Sequence, residues 1–404
     1  MGPDVPRMTL RDVVVRIALV LFGLGVALAL MEGGLRATSQ ASDNFWQPDP
    51  VLGHFHIPEQ TGFWRSTCFD VPVRISSQGF RDREYAREKG TGTYRVVVLG
   101  DSMTEGLQVR AEETYPKVLD QRLKDAFPGR NVEVINLGVS GYGTAQQYLL
   151  LKDRGLQLRP DLVVLPVFSI NDVRESSLQL EGRGDKPYLY FDQSHHLVLR
   201  PFRYPPPYYE LKRFVRSLHT YRFFGARFAR LDVAREFLLW TGIGTQINPE
   251  LDREGRGKAS TDIPYDLQIY LKEYPPEWEQ AWEVVSALVQ QTKHEVEQSG
   301  AQLLLVGLPS ALEVVGEDQV RKEYPAFGAD RFSTDSPYRK LEAIARTQEV
   351  RYLSLVEAFR AEIRSKRNLD DLYYSCDLHF APQGHRLIAH ELVRAVGPLL
   401  STVN

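Results

Sequence analysis

VVVLGDSMTEG, residues 96–106, joins an apolar run to a glycine, an aspartate and a serine. The run at residues 94–99 is compact and β-branched, which is typical of a strand buried on both faces of a parallel sheet. A helix-like stretch follows the serine. The pattern therefore places Ser102 at the carboxyl end of a buried strand, where open α/β sheets bind their ligands.

The same type of strand recurs along the chain, and helical patterns separate the strands. Strand-like runs lie at residues 132–136, 162–168, 302–308 and 350–353, and helical patterns at residues 115–126, 144–155, 276–299, 338–348 and 382–400. Strands that alternate with helices form βαβ crossovers, which place helices on both faces of a parallel sheet. The sequence therefore predicts an α/β fold built as a three-layer α/β/α sandwich.

The N-terminus predicts a membrane-embedded helix. Three arginines within the first 16 residues precede a continuous apolar run that ends at Met31. As a helix, residues 13–31 span about 28 Å, close to the hydrocarbon thickness of a bilayer. Positive charge on the N-terminal side indicates a short cytoplasmic tail at residues 1–12 and a body outside the cytoplasm, periplasmic or at the cell surface.

Two other interpretations of this segment stay open. Ala27-Leu28-Ala29 resembles the cleavage site of a secretory signal peptide, although the residues after it extend the apolar run. A buried core helix is the least favoured, because the segment has no polar stripe. We favour an uncleaved signal anchor.

Composition excludes several functional classes. The 404 residues are 43% hydrophobic and carry a formal net charge of −3, so the chain has no general attraction to nucleic acid. Two cysteines, Cys68 and Cys376, are too few for a disulfide framework or a structural zinc site. A single bridge between them and two free thiols are both open interpretations. No pattern predicts a metal or a cofactor, and none identifies a protein partner.

Two regions fall outside the alternation of strands and helices. Residues 32–92 are rich in glycine, proline, aromatic and charged residues, and they predict an extended arm or irregular β-ribbon. Residues 174–275 form an insertion too long for a simple loop. Its segment 200–230 interleaves basic residues with Phe and Tyr. We interpret it first as a lid over the substrate cleft, next as an amphipathic face on anionic lipid, and last as a nucleic-acid-binding segment.

Three further segments carry polar groups that would gather around the serine. Residues 136–144 (NLGVSGYGT) follow the second strand, and a backbone N–H at or near Gly141 is a candidate oxyanion donor. Asn171 follows the third strand, and its side-chain amide is a second candidate donor. Asp377 and His379 precede the last helix. His379 would act as the general base, and Asp377 would hold the imidazole tautomer.

Each of these residues also has an ordinary structural interpretation. Ser and Asn are preferred helix caps, and glycine is common in the turns that close strands. Six other histidines lack a frame compatible with a serine nucleophile, and most are interpreted as surface or packing residues: His54, His56, His195, His196, His219 and His294. His385 and His390 fall inside the last predicted helix, and His385 is the reserve candidate for the base.

Taken together and in this order, the segments resemble the SGNH/GDSL hydrolases over roughly residues 93–175 and 276–400. The resemblance implies a flavodoxin-like sheet. It also implies that Ser102 is the nucleophile and that His379 and Asp377 are the base and its acid partner. The N–H groups of Ser102 and Gly141 and the amide of Asn171 would form the oxyanion hole.

Two positions depart from the family pattern. Ser169 stands where the third block usually begins with glycine, and the last aspartate and histidine are two residues apart where the family usually has three. The shorter spacing is similar to that of alginate O-acetyltransferase-like members, which handle acetyl groups on exported polysaccharides.

The residues and the resemblance together predict a serine-dependent esterase acting outside the cytoplasm on acyl, mainly acetyl, esters of cell-envelope or exported polysaccharide. An O-acyltransferase, a lipid esterase and a catalytically inactive glycan-binding or assembly module are the alternatives. The predicted parts of the chain are a tail (1–12), a transmembrane signal anchor (13–31), an arm (32–92), the two parts of the SGNH domain (93–173 and 276–404) and an insertion or lid (174–275).

Overall fold

The computed structural model describes residues 9–38, 42–181, 186–200, 211, 214–215, 218–228, 265–323, 328, 330–365 and 368–401. The chain divides into two compact units. The first comprises residues 1–44 and 205–244, and the second comprises residues 45–204 and 245–404.

The strands of the described residues, in chain order, are β1 (Trp46–Asp49), β2 (Gly53–His56), β3 (Thr61–Arg65), β4 (Asp70–Arg74), β5 (Thr93–Val98), β6 (Asn131–Asn136), β7 (Leu162–Phe168), β8 (Tyr188–Phe191), β9 (Leu197–Arg200), β10 (Gln302–Leu308) and β11 (Arg351–Ser354). The helices of the second unit are Ser102–Glu105, Tyr115–Ala126, Thr144–Leu150, Ser169–Glu175, Leu178–Glu181, Pro276–Gln298, Ala311–Val315, Glu317–Glu323, Ser336–Thr347, Val356–Arg364, Leu369–Leu372 and Pro382–Ser401.

Five of these strands form one parallel sheet in the described chain, in the order β11-β10-β7-β5-β6. The first strand of this sheet along the chain, β5, lies between the second and the third. The chain therefore passes from β5 to β6 on one side and then crosses back to β7 on the other side of β5. Open α/β sheets bind ligands at such a switch point in strand order. The predicted α/β/α fold and its flavodoxin-like strand order are confirmed.

Both faces of the sheet are buried, which explains why its strands read as continuous apolar runs. On β5, Val96 and Val98 join a core cluster that includes residues of the helices Tyr115–Ala126 and Pro382–Ser401. Val97 joins the opposite cluster, which contains residues of the helix Pro276–Gln298. Alternate side chains of one strand thus hold the two helix layers on the sheet.

The arm folds as two antiparallel hairpins, β1–β2 and β3–β4. Phe55 and Phe80 of this segment belong to one of the two large core clusters. Val73 and Ile75 form a smaller cluster with Phe45 and Leu107. Residues 45–92 are therefore built into the second unit, as a cover over part of the sheet domain.

The first unit contains the long helix Leu10–Thr38 and the helix His219–Phe228. The long helix extends beyond the predicted 13–31, and a Glu32–Arg36 ion pair one turn apart (2.7 Å) supports its last turns. One 18-residue window in it has a mean hydropathy of 2.6 with none of its residues buried. The helix has the length and composition of a membrane anchor or a signal segment.

Part of the predicted insertion lies in each unit. In the first unit, the Glu32 carboxylate accepts the backbone N–H groups of His219 (3.0 Å) and Thr220 (2.9 Å), which are otherwise unsatisfied at a helix N-terminus. In the second unit, β8 and β9 pair as a hairpin. Residues 201–210 and 229–264 lie outside the described residues, so the lid interpretation stays a prediction.

Candidate active site

The turn after β5 brings Ser102 to the carboxyl edge of the sheet. Gly100 has φ +141°, and a Cβ there would overlap the Thr104 side chain, so the position requires glycine. Asp101 then caps the helix Ser102–Glu105, because its Oδ1 accepts the N–H of Met103 at 2.9 Å. The cap is therefore Asp101, and Ser102 is the first helical residue, partly exposed.

Ser102 meets His379 across 277 residues of chain. The distance from Ser102 Oγ to His379 Nε2 is 2.9 Å. His379 Nδ1 lies 3.2 Å from the Asp377 carbonyl oxygen and 3.3 Å from Asp377 Oδ2. Since Nδ1 faces two acceptors, it carries the proton, which leaves the Nε2 lone pair for the serine hydroxyl.

The two-residue spacing of Asp377 and His379 depends on the backbone of Leu378. Leu378 has φ +61°, a left-handed conformation that is uncommon for a bulky residue. This turn bends the chain back, so that the carboxylate and the imidazole face each other. The Leu378 side chain is left 54% exposed.

Asp377 has a further partner that the motif did not reveal. Gln108, in the loop after the nucleophile helix, donates from Nε2 to Asp377 Oδ2 at 3.1 Å and is 4% exposed. The amide therefore helps to fix the carboxylate oxygen that also lies 3.3 Å from the imidazole. Gln108 lies six residues beyond Ser102 in sequence, and no local pattern distinguishes it.

The charges at the site favour a protonatable imidazole. Burial acts to lower the pKa of His379, but its hydrogen bond to Asp377 and the charges of Asp377 and Asp101 outweigh burial, so the pKa is raised above 6.5. Burial acts to raise the pKa of Asp377, but the hydrogen bond and charge of His379 and the bond from Gln108 lower it below the usual value. Asp377 is therefore ionised wherever His379 titrates.

Two buried carboxyl groups lie next to site candidates in the sequence. Asp101 precedes the nucleophile Ser102, and Asp172 follows the candidate donor Asn171. Burial raises the pKa of Asp101 to about 7 and raises that of Asp172 well above its usual value, and the Asp101 charge raises the latter further. Asp172 Oδ2 accepts the N–H of Phe168 at 2.9 Å, which holds the first turn of the helix Ser169–Glu175.

The candidate oxyanion donors follow three adjacent strands. Ser102 follows β5, Gly141 follows β6, and Asn171 lies in the first turn after β7. In the described part of the chain, the two N–H groups and the Asn171 amide have no hydrogen-bond acceptor. Their assignment to an oxyanion hole stays a prediction. Each of these groups is available to donate a hydrogen bond to a bound oxyanion.

His385, the reserve candidate for the base, has a different partner. It is 1% exposed, and its Nδ1 accepts the N–H of Tyr115 at 3.2 Å. Burial lowers the pKa of His385 to about 3, and the Arg81 charge lowers it further. The ring is therefore neutral and anchors the start of the helix Tyr115–Ala126.

Two arm residues hold the loop behind the nucleophile. Arg81 donates from Nη1 to the carbonyls of Glu105 (2.6 Å) and Gly106 (2.7 Å), and from Nη2 to that of Val109 (2.6 Å). His56 binds Gly79 O through Nδ1 (2.9 Å) and Glu105 Oε1 through Nε2 (2.9 Å). The side chains of His56 and Glu105 are 1% and 0% exposed, so this contact ties the arm to the nucleophile helix inside the protein.

Glu105 also binds the loop that follows β6. Its Oε2 accepts the N–H of Ser140 at 2.6 Å and the Ser140 hydroxyl at 2.5 Å. Burial acts to raise the pKa of Glu105, but the charge and hydrogen bonds of His56 and Ser140 lower it below the usual value. This network was not evident from the sequence. Its one signal was a carboxylate inside the quoted motif, three residues after Ser102.

A covalent link joins the arm to the loop that carries His379. Cys68 and Cys376 form a disulfide, with their Cα atoms 6.3 Å apart. Beside it, the rings of Phe69 and Tyr374 lie 5.3 Å apart between centroids. The bridge, one of the two interpretations left open by the sequence, therefore fixes the hairpin β3–β4 next to the catalytic candidates.

No group of three or more His, Cys, Asp or Glu side chains in the described residues is arranged to hold a metal ion. The described site presents a hydroxyl, an imidazole, a carboxylate and neutral N–H donors.

Comparison with known proteins gives one family match. Residues 98–247 match the sequence model of the GDSL-like Lipase/Acylhydrolase family. No curated protein matches the chain significantly in sequence.

Solved structures similar to the chain include an acetylxylan esterase from Geobacillus stearothermophilus, with 14% identity, a TM-score of 0.40, and coverage of 75% of this chain and 94% of the other. They also include an alpha/beta hydrolase enzyme from the metagenome of Lake Arreo, Spain, with 13% identity, a TM-score of 0.40, and coverage of 76% and 96%. The chain is similar to TesA at 12% identity, with a TM-score of 0.37 and coverage of 76% and 99%. The family match covers residues 98–247, and the solved structures are distant likenesses.

Proposed function

We propose that the chain is an SGNH serine esterase with Ser102 as its nucleophile and His379 as its base. The observation that carries this assignment is the continuous chain of contacts from Ser102 Oγ through the imidazole to Asp377. The match of residues 98–247 to the sequence model of the GDSL-like lipase/acylhydrolase family supports the reaction class.

In the first half-reaction, Ser102 Oγ attacks the ester carbonyl while His379 Nε2 takes the hydroxyl proton. The carbonyl oxygen becomes an oxyanion, which the N–H groups of Ser102 and Gly141 and the amide of Asn171 stabilise. Collapse of the tetrahedral intermediate breaks the bond to the leaving alcohol, which takes the proton from His379. The product is an acyl-enzyme on Ser102.

In the second half-reaction, water attacks the acyl-enzyme and gives its proton to His379. The imidazolium then returns a proton to Ser102 Oγ as the carboxylic acid leaves. Asp377 stays ionised throughout, because its role is to orient the imidazole and to stabilise the imidazolium. Atoms and charges balance without any further reactant.

We place the catalytic body outside the cytoplasm, attached to the membrane by the helix Leu10–Thr38. The length and hydropathy of this helix support an anchor. The Cys68–Cys376 bridge supports the location independently, because disulfides persist in oxidising compartments. The two observations together favour a periplasmic or cell-surface enzyme.

The proposed substrate is an acetyl ester on a cell-envelope or exported polysaccharide. A surface location places such polymers within reach. Ser102 and His379 are both partly exposed, as a site that takes a branch from a long chain requires. An O-acyltransferase is the second candidate. It is favoured by the two-residue spacing of Asp377 and His379, which is similar to that of alginate O-acetyltransferase-like members. A sugar hydroxyl would then replace water in the second half-reaction.

The enzyme assignment is tested with the full chain in detergent, p-nitrophenyl acetate and a fluorophosphonate probe. We expect labelling and hydrolysis in the native protein and neither in Ser102→Ala. A folded native protein that is not labelled would favour a glycan-binding or assembly module. Ser169→Ala is the matched control, because it removes a neighbouring hydroxyl that donates to Glu313 and not to His379.

Esterase and transferase are separated by adding an acetyl donor together with oligosaccharide acceptors. Release of acetate alone identifies the esterase, whereas an acetylated oligosaccharide seen by mass spectrometry identifies the transferase. Hydrolysis of long-chain acyl esters in preference to acetyl esters would favour a lipid esterase instead.

A further inference from the structure

We propose that His54 is a positioning residue for the oxyanion hole, acting through the peptide group between Ser140 and Gly141. The inference rests on the proposed function, in which the Gly141 N–H is one of the oxyanion donors. His54 belongs to the arm and not to any catalytic segment. From sequence alone, it belongs to a set of histidines of which most are interpreted as surface or packing residues.

His54 contacts the carbonyl end of the peptide group whose N–H belongs to Gly141. His54 Nε2 lies 2.7 Å from the carbonyl oxygen of Ser140. The peptide group is planar and trans, so this oxygen and the N–H of Gly141 point in opposite directions from one rigid plate. A hydrogen bond that fixes the direction of the carbonyl therefore fixes the direction of the N–H as well.

The peptide needs such a restraint because of its sequence. Gly141 has φ +79°, in the region that glycine enters without strain, and glycine also allows the peptide to rotate away. On the N-terminal side, Ser140 is held by Glu105 through its own N–H and hydroxyl. His54 supplies the restraint on the remaining polar atom, the Ser140 carbonyl.

The hydrogen bond from His54 to the Ser140 carbonyl also strengthens the Gly141 N–H as a donor. A donor on the carbonyl polarises the amide, which makes its N–H a stronger partner for the developing oxyanion. The required tautomer carries a proton on Nε2, and the imidazolium carries one there too. Protonation of His54 would therefore leave this contact intact.

The arm holds His54 with a second, separable contact. The Tyr142 hydroxyl donates to the backbone carbonyl of His54 at 2.5 Å, and the two rings meet edge to face with centroids 5.1 Å apart. Removing this hydroxyl loosens the same two segments without touching the Ser140–Gly141 peptide. Tyr142→Phe is therefore a matched control for loss of the side-chain bond in His54→Phe.

The test compares three variants of the full chain, His54→Phe, His54→Gln and Tyr142→Phe, with p-nitrophenyl acetate. Loss of a whole oxyanion donor costs about 10²–10³ in kcat, so we expect misdirection of one to cost about tenfold to hundredfold in His54→Phe. KM should change little. Gln offers an amide N–H at a similar distance, so His54→Gln should recover most of the activity, and Tyr142→Phe should stay within about threefold of native.

A second readout separates positioning from general loosening. A trifluoromethyl ketone forms an anionic tetrahedral adduct with a serine nucleophile, so its Ki should rise in His54→Phe by the same factor as kcat/KM falls. Equal losses in His54→Phe and Tyr142→Phe, with thermal unfolding lowered alike, would overturn the positioning role and leave a structural one. Failure of the proposed function looks different, since the native protein itself would then not react at Ser102.

Discussion

The two loops that meet at the candidate active site are held in opposite ways. Behind Ser102, residues 105–109 are buried, and Arg81 and His56 supply hydrogen bonds to them. The loop that carries His379 lies at the surface, where the side chains of Asp377 and His379 are about a quarter exposed. A disulfide and one buried amide, from Gln108, hold that loop.

The difference matches what each loop must do in the proposed reaction. Oxyanion donors act by being fixed before charge develops, and the buried loop supports one of them, because Glu105 binds the N–H of Ser140 beside Gly141. The imidazole serves two partners in turn, first the serine and then the leaving group or water, and a partly exposed loop gives both of them access. Rigidity is thus concentrated on the side of the donors.

The strongest test removes the side chain of the exposed loop that binds Ser102. In His379→Ala the serine loses its proton acceptor, and we expect kcat/KM to fall by roughly 10⁴-fold or more with KM little changed. Circular dichroism should show an unaltered fold, because His379 is on the exposed loop. Activity equal to native would assign the base role to another group.

Asp377→Asn tests the exposed loop with a substitution that keeps the base. We expect a loss of activity about ten to a hundred times smaller than that in His379→Ala, since the base remains. His379 must be neutral to accept a proton, so native activity should fall as pH drops through a pKa above 6.5. Without the carboxylate that pKa falls, and the acid limb of kcat/KM should move to lower pH. An unmoved limb would remove Asp377 from the proposed triad.

Glu105→Gln tests the buried loop. The change replaces the buried carboxylate that binds His56 Nε2 and the N–H of Ser140 by a neutral amide, and a buried partner left unsatisfied costs about 1–3 kcal/mol in the free energy of unfolding. Denaturant unfolding measures the loss. Glu112→Gln, at an exposed position nearby, should change it by less than about 0.5 kcal/mol. Equal values for the two variants would show that the loop does not depend on the Glu105 carboxylate.

Replacing the covalent tether should have the smallest effect on activity. We expect the double variant Cys68→Ser/Cys376→Ser to lose about 2–4 kcal/mol in the free energy of unfolding. Gln108 and the backbone still hold the loop, so kcat should fall by less than about tenfold. Reduction of the native protein should reproduce both changes. A loss of kcat as large as that of Asp377→Asn would mean that the bridge, and not the hydrogen bonds, positions the imidazole.

The sheet was predictable because its information is local. A buried parallel strand is a continuous apolar run, and β7 and β10 begin and end where the sequence indicated. The same rule placed Ser102 at one edge of the sheet, whereas His379 was chosen as its base from the nearby Asp377 and from its position before the last helix. Resemblance to a known family then supplied the expected role of each residue.

The supports of the site were not predictable, for a physical reason. The contacts of Arg81, His54 and Gln108 cross at least 24, 86 and 269 residues of chain, and two of these residues lie in irregular segments with no periodic pattern. Whether Cys68 and Cys376 pair depends on the distance between them, which composition does not contain. Such contacts are specified by the folded chain as a whole.

The bridge between residues 68 and 376 has a topological consequence. It closes a covalent ring that contains every strand of the parallel sheet together with Ser102. A protease that cut the polypeptide once between Ser102 and Cys376 would therefore leave two fragments still joined as one molecule. The nucleophile would stay on one fragment and the imidazole on the other, bound by sulfur in place of the peptide chain.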